Sequence, residues 1–174
     1  LLQLLLGLLL QLLLGLLLGL LLQLLLRLLL QLLLGVLHAI MDLGDKMNQL
    51  RNKVLELIKL PTETEWVEFK ENLNDPQTIG EYISALSNSA ALASKRNGYL
   101  IWGVSDKNHE VVGTSFNPRK IIEKSNEELQ HWLARQLSPS INFKFEETII
   151  NDKRVVVLMI DHAVKDPVHF GSEK

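Results

Sequence analysis

The sequence predicts an α+β domain: a mixed, mostly antiparallel sheet packed with three main helices and preceded by a low-complexity Leu-rich helix. Three observations carry that expectation. Residues 1–35 contain only Leu, Gln, Gly and the single Arg27. From Met41 onward the composition is ordinary, and stretches of three-and-four apolar spacing alternate with short runs of period two. Tyr99-Leu100-Ile101-Trp102-Gly103-Val104 is apolar on both faces, as a central strand requires.

In the leader the non-Leu residues fall at 3, 7, 11, 15, 19, 23, 27, 31 and 35, a strict period of four. On a helix each advances about 40° beyond the last, so they wind around the circumference and leave no polar face. An amphipathic helix and a heptad coiled coil are both excluded. A helix of this length would be roughly 50 Å long, against about 30 Å for a hydrocarbon core. Three origins fit to different degrees. A membrane-anchoring helix is allowed by hydrophobicity. A secretory signal lacks its charged start and small-residue cleavage site. Translated tandem-repeat DNA, read upstream of a start at Met41, is favoured by the strictness of the repeat. The expected division is therefore a leader at 1–40 and a domain at 41–174, in the cytoplasm, with membrane anchoring only if the leader is genuine.

The elements follow in order. Leu43, Met47, Leu50, Val54 and Leu57 predict a first helix over 42–59, ended by Pro61. In Trp66-Val67-Glu68-Phe69-Lys70, Val67 and Phe69 should face the core while Trp66, Glu68 and Lys70 face away. Thr78-Ile79-Gly80-Glu81 reads as a capping box for a second helix buried through Ile79, Ile83, Leu86 and Ala90. Asp106-Lys107-Asn108 turns the central strand toward Val111-Val112-Gly113, the expected hairpin partner. Ser125-Asn126-Glu127-Glu128 reads as a second capping box, opening a helix with Leu129, Trp132, Leu133 and Leu137 inward. Ile141, Phe143 and Phe145 mark a strand with one wet face, and the Asn151-Asp152 turn leads into Val155–Ile160. The chain stops just after Pro167-Val168-His169-Phe170, so the domain is expected to be truncated at its C-terminal end.

Composition narrows the chemistry. Arg27 is the leader's only charge, leaving 17 basic and 20 acidic residues from Met41 onward. Nucleic-acid binding would thus need a local patch rather than a global field. There is no cysteine, which removes disulfides, thiolate nucleophiles and Cys-based zinc sites. His38, His109, His131, His162 and His169 are scattered without metal spacing, and no Walker or Rossmann glycine pattern occurs. Two sets of candidates remain. Glu63, Glu65, Glu68 and Glu71 surround the first strand and Asp106 leaves the central one. If those strands are neighbours, Glu63, Glu68 and Asp106 could converge on Mg²⁺ or Mn²⁺ for phosphodiester cleavage, against the alternative of a solvated acidic face. The second set is basic: Lys95, Arg96, Lys107, Arg119, Lys120, Lys124, Arg135, Lys144, Lys153 and Arg154, with Lys70 beside the acids. These could contact phosphates or simply make a mixed surface. Trp66, Trp102 and Trp132 read as packing residues rather than stacking platforms.

The ordered motifs resemble the Schlafen AlbA-like family. They are Pro61–Asn72 around Val67-Glu68-Phe69-Lys70, Ile79–Ala90, Gly98–Asp106, Val111–Thr114, Asn126–Pro139 and Val155–Ile160. Together they cover roughly residues 55–172. The resemblance implies a DNA-binding module of a transcriptional regulator or ATP-binding protein. In Schlafen-type ribonucleases the matching positions carry metal-binding carboxylates, so Glu63, Glu68 and Asp106 become the implied catalytic and metal set. No cofactor is otherwise implied. Lys70, Lys95, Arg96, Lys107 and Arg135 are the expected nucleic-acid contacts. Three functions are thus carried forward: binding DNA or RNA, metal-dependent endoribonuclease activity, and a protein-interaction or dimerisation role as a homo-oligomer. Asn97-Gly98 stands where the family usually has Gly-Gly, and the zinc-binding cysteines of animal relatives are absent.

Overall fold

The computed structural model describes residues 1–60, 64–121 and 127–171, which divide into two compact units, Leu1–Asn48 and Gln49–Lys174. Helix α1 spans Leu2–Ile58, so the leader and the expected first helix form one element without a break at Met41. Leucine is a strong helix former, and the isolated glycines of the leader cost only about 1 kcal/mol each. In the first unit every residue is exposed, including Leu43 and Met47, which share the helical spacing of Leu50, Val54 and Leu57. Long and apolar over its exposed stretch, α1 meets the length and composition needed to cross a membrane. The buried stripe begins only at Leu50 and continues through Val54 and Leu57.

The second unit is built on a four-stranded sheet in the order β1-β2-β5-β4. Strand β1 (Val67–Lys70) runs parallel to β2 (Asn97–Trp102), and helix α2 (Pro76–Leu92) makes the crossover between them. Strand β5 (Lys153–Asp161) pairs antiparallel with β2 and with β4 (Phe143–Ile150). The mixed, mostly antiparallel α+β architecture expected from the sequence is thus the one observed. Helix α3 (Leu129–Gln136) leads directly into β3 (Leu137–Ser138), which pairs with β6 (His169–Phe170) in a small second sheet.

Alternation along the strands creates two cores. Leu100, Trp102, Val156, Leu158 and Ile160 face Ile79, Ile83 and Leu86 of α2 and Leu129 and Leu133 of α3. Tyr99, Ile101, Val155 and Val157 face the other way, with Val67 and Phe69, onto Leu50, Val54 and Leu57. Each fully buried aliphatic side chain contributes about 1.5–3 kcal/mol. With a core on both faces, β2 must be apolar from Tyr99 to Trp102, which is why the sequence marks it so plainly. Gly98 lets α2 approach: a Cβ there would sit 2.6 Å from the Leu86 carbonyl oxygen.

Several local expectations are corrected. Helix α2 starts earlier than the Thr78 capping box. Its N-cap is Asp75, whose carboxylate accepts from the Thr78 N–H at 2.8 Å and the Thr78 hydroxyl at 2.6 Å, with Pro76 next in line. Those bonds hold the Asp75 carboxyl below its ordinary range. Helix α3 is capped at Glu128 without a side-chain bond, while Ser125 and Asn126 lie outside the described residues. Val111–Gly113 forms no full strand. Gly103, at φ +92°, turns the chain out of the sheet, and a single bridge joins Val104 to Val111. Trp66 precedes the strand and packs with Val67 on the α1 side, not on the face shared by Glu68 and Lys70.

Candidate functional site

The carboxyl ends of β1 and β2 lie side by side, with Lys70 in register with Trp102. Glu68 and Lys70 project from β1 toward α2. The Glu68 carboxylate accepts from Lys70 Nζ at 2.6 Å and from the Tyr82 hydroxyl at 3.4 Å, and the ammonium also stands 5.5 Å from the Tyr82 ring centroid. Burial works against the Lys70 charge, but the hydrogen bonds and charges of Glu68 and Tyr82 outweigh it, and its pKa is raised above the ordinary lysine value. Just beyond β1, Asn72 Oδ1 accepts from Thr114 Oγ1 at 2.8 Å, from the Ser115 N–H at 3.0 Å and from Ser115 Oγ at 3.1 Å. Arg154 secures the same loop from β5: its guanidinium donates to the Phe116 carbonyl and, at 3.4 Å, to that of Thr114, while Nε bonds Glu147 at 3.0 Å. Trp102 Nε1 donates to the Leu73 carbonyl at 2.9 Å, its ring stacked on Phe116.

Asp106 is exposed in the turn four residues past the end of β2. The same turn carries His109, whose Nδ1 lies 3.1 Å from the Ile58 carbonyl and whose ring packs on Phe69, on the α1 side of the sheet. Glu63 lies outside the described residues. Among the described residues no three His, Cys, Asp or Glu side chains are grouped to hold a metal ion. Glu68 already has an ammonium against its carboxylate, so a cation bound there would displace Lys70.

The expected basic residues are dispersed over the fold. Lys95 and Arg96 are exposed at the amino end of β2, whereas Lys107 is exposed past its carboxyl end, about 20 Å away by strand rise. Arg135 is paired with Glu127 at 2.5 Å and Lys144 with Glu146 at 2.6 Å. Lys153 and Arg154 are spent on backbone carbonyls of the 111–116 loop. Arg119 and Lys120 are exposed on a short 3-10 turn, and Lys124 lies outside the described residues. Of the tryptophans, Trp102 is fully buried, and Trp132 is half-buried with its ring edge-on to Phe170. Trp66 is half-buried under the Lys95 ammonium, 5.1 Å from its ring centroid. Sequence reasoning missed Tyr82, Asn72 and the Trp66–Lys95 contact. Tyr82 adjoins the Ile79–Ile83 stripe of α2, which is the only hint that it could face a strand.

The fold and this cluster define an α+β domain whose polar groups gather at the carboxyl end of a β-α-β crossover. The family model for Schlafen, AlbA_2 matches residues 63–174, and the chain belongs to that family. No curated protein matches the chain. Among solved structures it is similar to the N-terminal domain of the "Putative ATP-dependent DNA Helicase RecG-related Protein" from Nitrosomonas europaea. That solution structure is 21% identical over 70% of this chain and 80% of the other, with a TM-score of 0.45. The DIP2311 protein from Corynebacterium diphtheriae is 18% identical over 72% of this chain, with a TM-score of 0.38. The match spans about a quarter of that longer chain, 24%.

Proposed function

We propose that the folded unit is a nucleic-acid-binding module, DNA-binding in the first instance, within a longer cytoplasmic protein of the transcriptional-regulator or ATP-binding kind. Membership of the Schlafen AlbA_2 family supports this reading. The observation that carries it is the state of the cations. Lys53, Lys70, Arg135, Lys144 and Arg154 each have a carboxylate partner. Lys95, Arg96 and Lys107 stand on exposed loops with none among the described residues, which leaves their charge available for phosphate. With a formal net charge of −2 for the chain, such contacts act locally and are strongly screened by salt. Titration of a labelled oligonucleotide with the chain at increasing salt tests it: affinity should fall steadily, and alanine at Lys95, Arg96 and Lys107 should weaken it.

A metal-dependent nuclease using Glu63, Glu68 and Asp106 with Mg²⁺ or Mn²⁺ is the second reading. One observation favours it: β1 and β2 are parallel neighbours, which sets Glu68 two residues before the end of one and Asp106 four residues after the end of the other. Cleavage of labelled tRNA in Mn²⁺, lost in Asp106→Ala with binding retained, is the result that would move the function from binding to catalysis.

A further inference from the structure

The amino end of β1 and β2, opposite the Glu68 cluster, holds a second set of polar and aromatic groups. Trp66, half-buried, meets Tyr99 edge-on with ring centroids 6.1 Å apart, and the Lys95 ammonium covers its face. Lys53 from the end of α1 stands 5.9 Å from the Tyr99 ring centroid. Tyr99 is in register with Met159, and Met159 with Lys144, so a row of side chains crosses β2, β5 and β4 on the α1 side of the sheet. Burial raises the Tyr99 pKa. The charges of Lys53, Arg96 and Lys144 oppose that rise and Glu56 adds to it, so three cations lie within electrostatic reach of one ring.

Beside this row is a shallow cavity of about 250 Å³, lined by Asn97, Asn142, Lys144, Met159 and Asp161 among others. Its lining combines Phe143 and Met159 with hydrogen-bonded polar side chains. The Asp161 carboxylate accepts from the Asn97 amide at 3.0 Å and from the Asn142 amide at 3.4 Å, and the Asn97 amide also donates to the Ile160 carbonyl at 3.4 Å. Arg96 precedes the lining residue Asn97, and its carbonyl accepts from the His162 backbone N–H at 3.2 Å and lies 2.9 Å from His162 Nδ1. Its guanidinium has no carboxylate partner among the described residues.

Resting on the nucleic-acid reading, we propose that this surface takes a single nucleic-acid strand, with one base stacked on Trp66 and the backbone phosphates drawn to Lys95 and Arg96. Two requirements of sequence-tolerant strand binding coincide here: an aromatic face and, beside it, a shallow groove flanked by cations. The Lys95 ammonium lies over the Trp66 face. A base can replace it on the ring while the ammonium moves to a phosphate, so the charge is retained in the complex. A duplex keeps its bases stacked on each other and cannot use the indole, so Trp66 should matter for single strands and not for duplexes.

The test uses the full chain in mild detergent, a fluorescent 20-nucleotide single strand and its duplex, and anisotropy across a salt series. Trp66→Ala should weaken single-strand binding about 5- to 150-fold, the loss expected of one stacked base, while Trp66→Phe restores most of it. Duplex affinity should be unmoved by either. Lys95→Ala with Arg96→Ala, both on an exposed loop that the core does not need, should make the salt slope shallower by about 1.4, roughly 0.7 for each lost phosphate contact. If the parent binds with salt dependence but neither the tryptophan nor the paired loop variant changes affinity or slope, strand binding lies elsewhere and this inference falls alone. If the parent binds neither strand nor duplex at low salt, the nucleic-acid reading falls with it.

Discussion

Replacing Arg154 by methionine separates a structural cation from a phosphate-binding one. Arg154 is in the basic set that the sequence offers for nucleic acid, yet its guanidinium ties the 114–116 loop to β5. The Glu147 partner is 40% exposed, so that ion pair is worth only about 0.5 kcal/mol. Losing the donor to the Phe116 carbonyl, in a residue 1% exposed, strands a buried acceptor at about 1–3 kcal/mol. Two effects offset part of this. Methionine keeps the apolar stem, and Nη2, buried without a partner, disappears. The balance is a loss of about 1–2 kcal/mol, or roughly 4–8 °C in melting temperature for a domain of this size. Urea unfolding followed by tryptophan fluorescence measures it, and nucleic-acid affinity should be unchanged. Acid adds a check. Hydrogen bonding and charge from Arg154 hold the Glu147 carboxyl below its ordinary range, although partial burial opposes them. The pairing therefore contributes fully above the usual glutamate pKa and fades as pH falls through the lowered value, so Arg154→Met should narrow its deficit in acid. A variant with parent stability but weakened nucleic-acid binding would refute this account of Arg154.

Other outcomes follow from the same geometry. Gly98→Ala puts a Cβ 2.6 Å from the Leu86 carbonyl oxygen and should cost about 1–3 kcal/mol in chemical denaturation, because backbone rather than a side-chain tip must move. Asp106→Ala and Glu68→Gln should leave nucleic-acid binding intact or slightly stronger in a gel shift, since each removes negative charge; a large loss would place them in the binding surface itself. In detergent-phase partition the full chain should enter the detergent phase through the exposed leucines of its leader, and a chain lacking residues 1–40 should remain aqueous. A full chain that stays aqueous would contradict the all-round apolar surface.

Much of the fold could be read from one-dimensional patterns because burial repeats with the geometry of each element. Ile79, Ile83, Leu86 and Ala90 are all buried as their spacing requires, and β2 is central as its two apolar faces require. The failures have local physical causes. Leu43 and Met47 continue the helical spacing of Leu50 yet stay exposed, because periodicity marks a helix face without saying what packs on it. Trp66 obeys no strand alternation because the strand begins only at Val67. Asp75 competes with Thr78 for the helix start and prevails through the adjoining Pro76, which favours the first turn. The site was less legible. Glu68 and Lys70 are two residues apart and point the same way, but Tyr82 reaches them only through the crossover of α2. Trp66 and Lys95 are 29 positions apart, and their contact depends on the parallel pairing of β1 and β2.

The central claim, that this unit binds nucleic acid through unpaired loop cations, is tested most directly by the salt dependence of oligonucleotide affinity for the parent and for the triple alanine variant at Lys95, Arg96 and Lys107. Binding at low salt that falls linearly in log–log form, with a slope shallower in the variant by about 2–3, is the expected result. Absence of binding at low salt, or binding with the same slope in both proteins, would contradict it.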